Sequence, residues 1–130
     1  MESLSNKTVL IVDDDSRNTF ALSSYLDTQD IKTIIAEDGE EAMSVLINGA
    51  KPDIILLDIM MPEMDGYETL EVLKNHASFN TIPVIAVTAK TMKGDMEKCI
   101  EAGAWDYISK PIDLHVLLEK INKWTTKNEL

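Results

Sequence analysis

Cysteine is almost missing from this chain of 130 residues, and the one that is present, Cys99, cannot close an internal disulfide. The fold must therefore be held by its own core, and nothing requires an oxidising compartment. In Met96-Glu97-Lys98-Cys99-Ile100 the thiol falls on the apolar face of a predicted helix, so a buried structural cysteine is expected. Positive charge is scarce too: Lys and Arg number 12 against 23 Asp and Glu, a net charge of -11. Such a surface repels nucleic-acid phosphates and anionic membranes, which argues against direct binding to either and favours a cation or a basic partner. No apolar run approaches the ~18 residues of a membrane span. Met1 to Lys7 lacks the basic-then-apolar plan of a signal peptide, so a cytoplasmic protein is expected. No Pro/Gly/Ser-rich linker, internal repeat or low-complexity tract divides the sequence. Residues 1–130 are expected to form a single domain with its core at about 7–124. Hydrophobic residues make up 45%, enough to pack a globule without disulfides or structural metal.

What is present is an alternation of short apolar runs with amphipathic stretches. Strands are predicted at Thr8–Val12, Ile31–Ala36, Asp53–Leu57, Pro83–Val87 and Trp105–Ile108. Ile54-Ile55-Leu56-Leu57 has no polar side chain to face water, which marks a strand buried on both faces. Ser16 is a candidate N-cap for a first helix carrying Phe20, Leu22, Tyr25 and Leu26 and running to about Gln29. Ala42, Met43, Leu46 and Ile47 mark a second helix, ended by Asn48-Gly49. Tyr67, Leu70 and Leu73 mark a third, finishing near His76; Met92, Met96, Cys99 and Ile100 mark a fourth, stopping at Ala102-Gly103. Leu114, Leu117, Leu118, Ile121 and Trp124 form the stripe of the last. Strands that alternate with helices imply a parallel sheet covered on both faces, because parallel neighbours need crossover connections.

Right-handed crossovers bring the C-terminal ends of all such strands to one edge, where open α/β sheets bind their ligands. The residues leaving those ends are Asp13-Asp14-Asp15, Asp58, Thr88 and Lys110. Singly, each has a plain structural reading: a helix-capping turn, a strand-end hydroxyl, a surface lysine before Pro111. Together they compose a phosphoryl site. Crowded carboxylates repel unless a cation neutralises them, and hard oxygen ligands suit Mg2+. Lys110 adds a charge for a phosphate oxygen, and Thr88 a hydroxyl donor. The nucleophile of such a site is a carboxylate, Asp58, able to form an aspartyl-phosphate.

Val12-Asp13-Asp14, Leu57-Asp58-Ile59-Met60-Met61-Pro62-Glu63-Met64-Asp65-Gly66, Val87-Thr88-Ala89 and Ser109-Lys110-Pro111 resemble the receiver domain of two-component response regulators. The resemblance runs in order from about Lys7 to Trp124. It implies a flavodoxin-like (βα)5 three-layer sandwich with a five-stranded parallel sheet in the order 2-1-3-4-5. It also implies that Asp58 accepts a phosphoryl group from a histidine kinase or a histidine phosphotransfer protein. Asp13, Asp14, Asp58 and the backbone carbonyl of Met60 would hold Mg2+. Thr88 and Lys110 match the switch hydroxyl and the phosphate-pairing lysine, and Tyr107 matches the switch aromatic, whose plain reading is a half-buried core tyrosine. The Lys110-Pro111 bond is expected to be cis. Met60 and Lys90 occupy positions that influence dephosphorylation in the family. His76 and His115 are expected to be ordinary surface residues.

The function implied is a phosphorylation-controlled switch that catalyses only its own modification and signals through the face of helix four, strand five and helix five. Six residues, Thr125 to Leu130, follow the last apolar helix position, too few for a DNA-binding domain. Output is expected to pass through protein contacts, unless the chain is a receiver cut from a hybrid histidine kinase or a longer regulator. Two rival readings use the same strand edge. A haloacid-dehalogenase-type phosphatase wants a second Asp two residues beyond the nucleophile, where this chain has Met60. A flavodoxin needs a hydroxyl- and Gly-rich phosphate loop after its first strand, where Asp13-Asp14-Asp15 would repel phosphate.

Overall fold

A computed structural model describes residues 6–59, 66–88 and 93–125. Its strands are β1 (Thr8–Val12), β2 (Lys32–Ala36), β3 (Ile54–Asp58), β4 (Val84–Thr88) and β5 (Asp106–Ser109). Its helices are α1 (Ser16–Thr28), α2 (Gly39–Ile47), α3 (Gly66–Asn75), α4 (Lys93–Ala102) and α5 (Leu114–Thr125). The strands pair in parallel in the order β2-β1-β3-β4-β5, the flavodoxin-like arrangement expected.

Strand parity sorts the core into two layers. Leu10, Val12, Ile55 and Leu57 pack against Leu46 of α2, Leu70 and Leu73 of α3, and Cys99 of α4. Val9, Ile11, Ile54 and Leu56 point the other way, onto Leu22 and Leu26 of α1 and Leu117 and Ile121 of α5. Every residue of β3 and β4 is buried, as an apolar run covered on both faces requires. Each such Leu or Ile contributes about 1.5–3 kcal/mol by leaving water. Cys99 lies fully inside, its Sγ 3.9 Å from the Tyr67 hydroxyl.

Three differences from the sequence expectation bear on the site. First, β3, β4 and β5 each end one residue later than their apolar runs, on Asp58, Thr88 and Ser109. The ladder explains this, because Asp58 stays in register with Val87 and Thr88 with Ser109. A strand ends where backbone pairing ends, not where side chains turn polar. Second, α1 is capped by Asp15 rather than Ser16: its Oδ1 accepts from the N–H groups of Arg17 (3.0 Å) and Asn18 (3.4 Å). Third, Phe20, Ile47 and Ile100, counted among the apolar helix stripes, are exposed at 71%, 67% and 45%.

Candidate functional site

The site begins where β1 and β3 leave the sheet side by side and the chain reverses direction around them. The Asp13 N–H donates to the Ala36 carbonyl at 3.0 Å, which fixes the backbone beyond β1 and leaves the Asp13 side chain buried. Asp14 is exposed, while Asp15 turns back to cap α1. The three consecutive acids thus divide the work. One is buried at the sheet edge, one faces solvent and one closes the helix.

Asp58, the last residue of β3, is buried, and its Oδ2 lies 3.1 Å from Lys110 Nζ. Lys110 is held twice, since its own N–H donates to the Thr88 carbonyl at 2.8 Å. The Lys110-Pro111 peptide is cis, as expected. Thr88 is buried at the end of β4. Each of Asp13, Asp14 and Asp58 offers one carboxylate oxygen, and these three oxygens lie within 4.8 Å of one another. The residues predicted from far apart in the sequence therefore do converge on one strand edge. Met60 and Lys90 fall outside the described residues.

The electrostatics follow from this crowding. Burial pushes the Asp13 carboxyl above its ordinary 3.8, helped by the Asp58 charge and opposed by donors from Asp15 and Asn18 and by Lys110. Burial would lower the Lys110 ammonium, but its hydrogen bond to Asp58 and the charges of Asp58, Asp13 and Asp15 raise it above 10.5. The lysine therefore stays cationic. The donor set fits Mg2+: three hard oxygens converge, and the excess of negative charge calls for a cation.

Tyr107 is half-buried on β5, packed against the α2/α3/α4 layer, and it lines an open groove of about 680 Å3 with Met96, Glu97, Ile100 and Glu101 of α4. A second cleft of about 540 Å3 runs beside Lys110 and Pro111, between Asn18, Ala21 and Leu22 of α1 and Ile112 and Leu114. The two histidines stand away from the acidic site: the His76 ring stacks on Phe79 at 4.2 Å, and His115 is exposed on α5.

One residue at the site was not foreseen from sequence. Asn18 Nδ2 donates to Asp13 Oδ2 at 2.7 Å. The signal was weak, because the contact spans five positions and depends on which of Asp15 and Ser16 caps the helix.

A doubly wound parallel sheet with acids and a lysine at the carboxyl ends of its strands defines a class of ligand-binding α/β modules. Comparison with known proteins narrows it. The model of the response regulator receiver domain matches residues 9–122. The polar-differentiation response regulator DivK of Brucella anthropi is 39% identical over 118 residues, covering 91% of this chain and 95% of its own. The receiver domain of the sensor histidine kinase PA1611 from Pseudomonas aeruginosa, solved with a magnesium ion coordinated in its active-site cleft, is 27% identical. It superposes with a TM-score of 0.84 and covers 95% of this chain and 100% of its own. The receiver domain of Saccharomyces cerevisiae Ssk1, crystallised with the histidine phosphotransfer protein Ypd1, is 28% identical with a TM-score of 0.87, over 95% and 92% of the two chains. The chain belongs to the response regulator receiver domain family. Members are switches of two-component phosphorelays rather than enzymes in the metabolic sense. Among the described residues no helix is long and apolar enough to cross a membrane.

Proposed function

We propose that Asp58 accepts a phosphoryl group from a histidine kinase or histidine phosphotransfer protein, and that the resulting aspartyl-phosphate switches the protein's contacts with a downstream protein target. The observation that carries this reading is the Lys110–Asp58 pair at 3.1 Å, beside an acidic cluster whose oxygens lie within 4.8 Å. An oxygen of Asp58 attacks the phosphorus of the donor's phosphohistidine; the new O–P bond forms, the N–P bond breaks, and the imidazole recovers a proton. Lys110 slides its ammonium from carboxylate to phosphoryl oxygen, neutralising charge as it builds. Asp13, Asp14, Asp58 and the Met60 backbone carbonyl would hold Mg2+, which supplies further neutralisation of the transferring group.

Thr88 and Tyr107 form the readout. The Thr88 hydroxyl donates to the phosphoryl group, Tyr107 turns into the space beside α4, and the face of α4, β5 and α5 changes shape. The groove of Tyr107 with Met96, Glu97 and Ile100 supports this, because it leaves the ring room to move. The chain acts as one receiver with its core at about 7–124, in the cytoplasm, without direct nucleic-acid contact. Its only catalysis is of its own phosphorylation and dephosphorylation. The test is incubation with a small phosphodonor and Mg2+, followed by intact mass. A single phosphoryl adduct is expected that needs the metal and is lost in Asp58→Asn; a stable adduct persisting in that variant overturns the assignment.

A further inference from the structure

Asn18 has no part in the phosphoryl chemistry proposed above, yet it makes a 2.7 Å hydrogen bond to a buried carboxylate of the site. The Asp13 carboxylate carries one donor on each oxygen. Asp15 N–H donates to Oδ1 at 2.9 Å and Asn18 Nδ2 to Oδ2 at 2.7 Å. The donors come from the N-cap and the first turn of α1, and the two are tied together, since the N–H of Asn18 donates to the Asp15 cap. The carboxylate can therefore neither rotate about its own axis nor swing away without breaking a bond. Each oxygen accepts two hydrogen bonds or ligand contacts, so one lone pair on each stays available.

We propose that Asn18 is a positioning residue for cation capture: its amide locks Asp13 in the orientation in which it meets a divalent metal together with Asp14 and Asp58. The inference rests on the reading of those three acids as metal ligands. The chemistry suits a neutral donor. A lysine or arginine here would satisfy Asp13 equally well but would supply the charge that the cation must bring. An acid would add a fourth repelling carboxylate. An amide orients without altering the charge. Partners of this kind, one bond removed from the metal, typically change affinity by about 10–100-fold when lost.

The experiment is titration of Mn2+, read as free ion by electron paramagnetic resonance, into the wild type, Asn18→Ala, Asn18→Gln and Asp13→Asn, with far-UV circular dichroism confirming each fold. The expected result is about tenfold weaker binding in Asn18→Ala, at the low end of that range, and a smaller loss in Asn18→Gln, which keeps the amide. The half-saturating Mg2+ for phosphorylation should also rise by a larger factor than the plateau rate falls, which a merely structural role would not produce. Should Asn18→Ala fail to fold, Asn18→Ser, one bond too short to span the gap, carries the same expectation. Wild-type affinity in the Asn18 variants, with binding lost in Asp13→Asn, overturns the proposal alone. Equal affinity in the wild type and Asp13→Asn overturns the reading of the acids and the proposal with it.

Discussion

Asp106 sits buried at the start of β5 with three donors around its carboxylate: Trp124 Nε1 at 2.8 Å, the Tyr107 N–H at 2.8 Å and Lys120 Nζ at 3.0 Å. Burial raises its proton affinity, but the three donors together outweigh burial and leave the carboxyl below 3.8. Its neighbour in kind, Asp13, is raised instead, because burial is joined by the Asp58 charge. The signs follow. A lowered folded value contributes stability that is present above 3.8 and lost as pH falls through the folded value; a raised one contributes stability at low pH that is lost as pH rises beyond 3.8. Asp106→Asn should cost about 2 kcal/mol at neutral pH, since hydrogen bonds to a charged group are exchanged for weaker ones. Urea unfolding across the acid range should show the gap between wild type and variant closing as pH drops below 3.8. A gap independent of pH would mean that the carboxylate is not what Trp124 and Lys120 hold.

At the scale of elements, the approach of α3 to the end of β3 is set by a glycine. A Cβ on Gly66 would run into the backbone of Ile59, the residue after Asp58. Overpacking against backbone cannot be relieved by a rotamer change, so Gly66→Ala should cost about 3 kcal/mol, the upper part of the overpacking range. It should also displace the amide resonances of Asp58 and Ile59 in a 15N–1H spectrum; unchanged shifts there would show that α3 yields instead. In the sequence Gly66 stood out only as the last residue of the stretch that begins at Leu57, since a close approach between two elements has no signature in either alone. The order and kind of all ten elements were legible, because apolar runs and helical stripes report burial. Their ends were not, because Asp58, Thr88 and Ser109 are polar residues whose backbones still pair. The convergence of Asp13, Asp14, Asp58 and Lys110 was legible for a topological reason: parallel strands leave the sheet at one edge. The Asn18 contact was not, since it depends on where α1 is capped.

Across the whole molecule, the acid surplus has a structural cost concentrated at this edge. Among the described residues, Asp13, Asp14 and Asp58 place carboxylate oxygens within 4.8 Å of one another, with Lys110 paired to Asp58. Without a cation the fold holds these charges together against their repulsion, whereas the unfolded chain disperses them. Stability should therefore depend on metal. In chelator, Asp13→Asn should be more stable than the wild type by about 1 kcal/mol, the usual scale of a point substitution but of the opposite sign. The variant keeps its local bonds if the Asn18 amide flips to present its oxygen to the new side-chain NH2. Adding Mg2+ should then reverse the order. With Asp13 as one of the proposed ligands, the wild type should gain about 2.7 kcal/mol at a hundredfold excess over its dissociation constant, and the variant much less. Chemical denaturation of both proteins with and without Mg2+ measures the four stabilities. If the wild type is already the more stable in chelator, repulsion within the cluster is weaker than the bonds that Asp13 makes there.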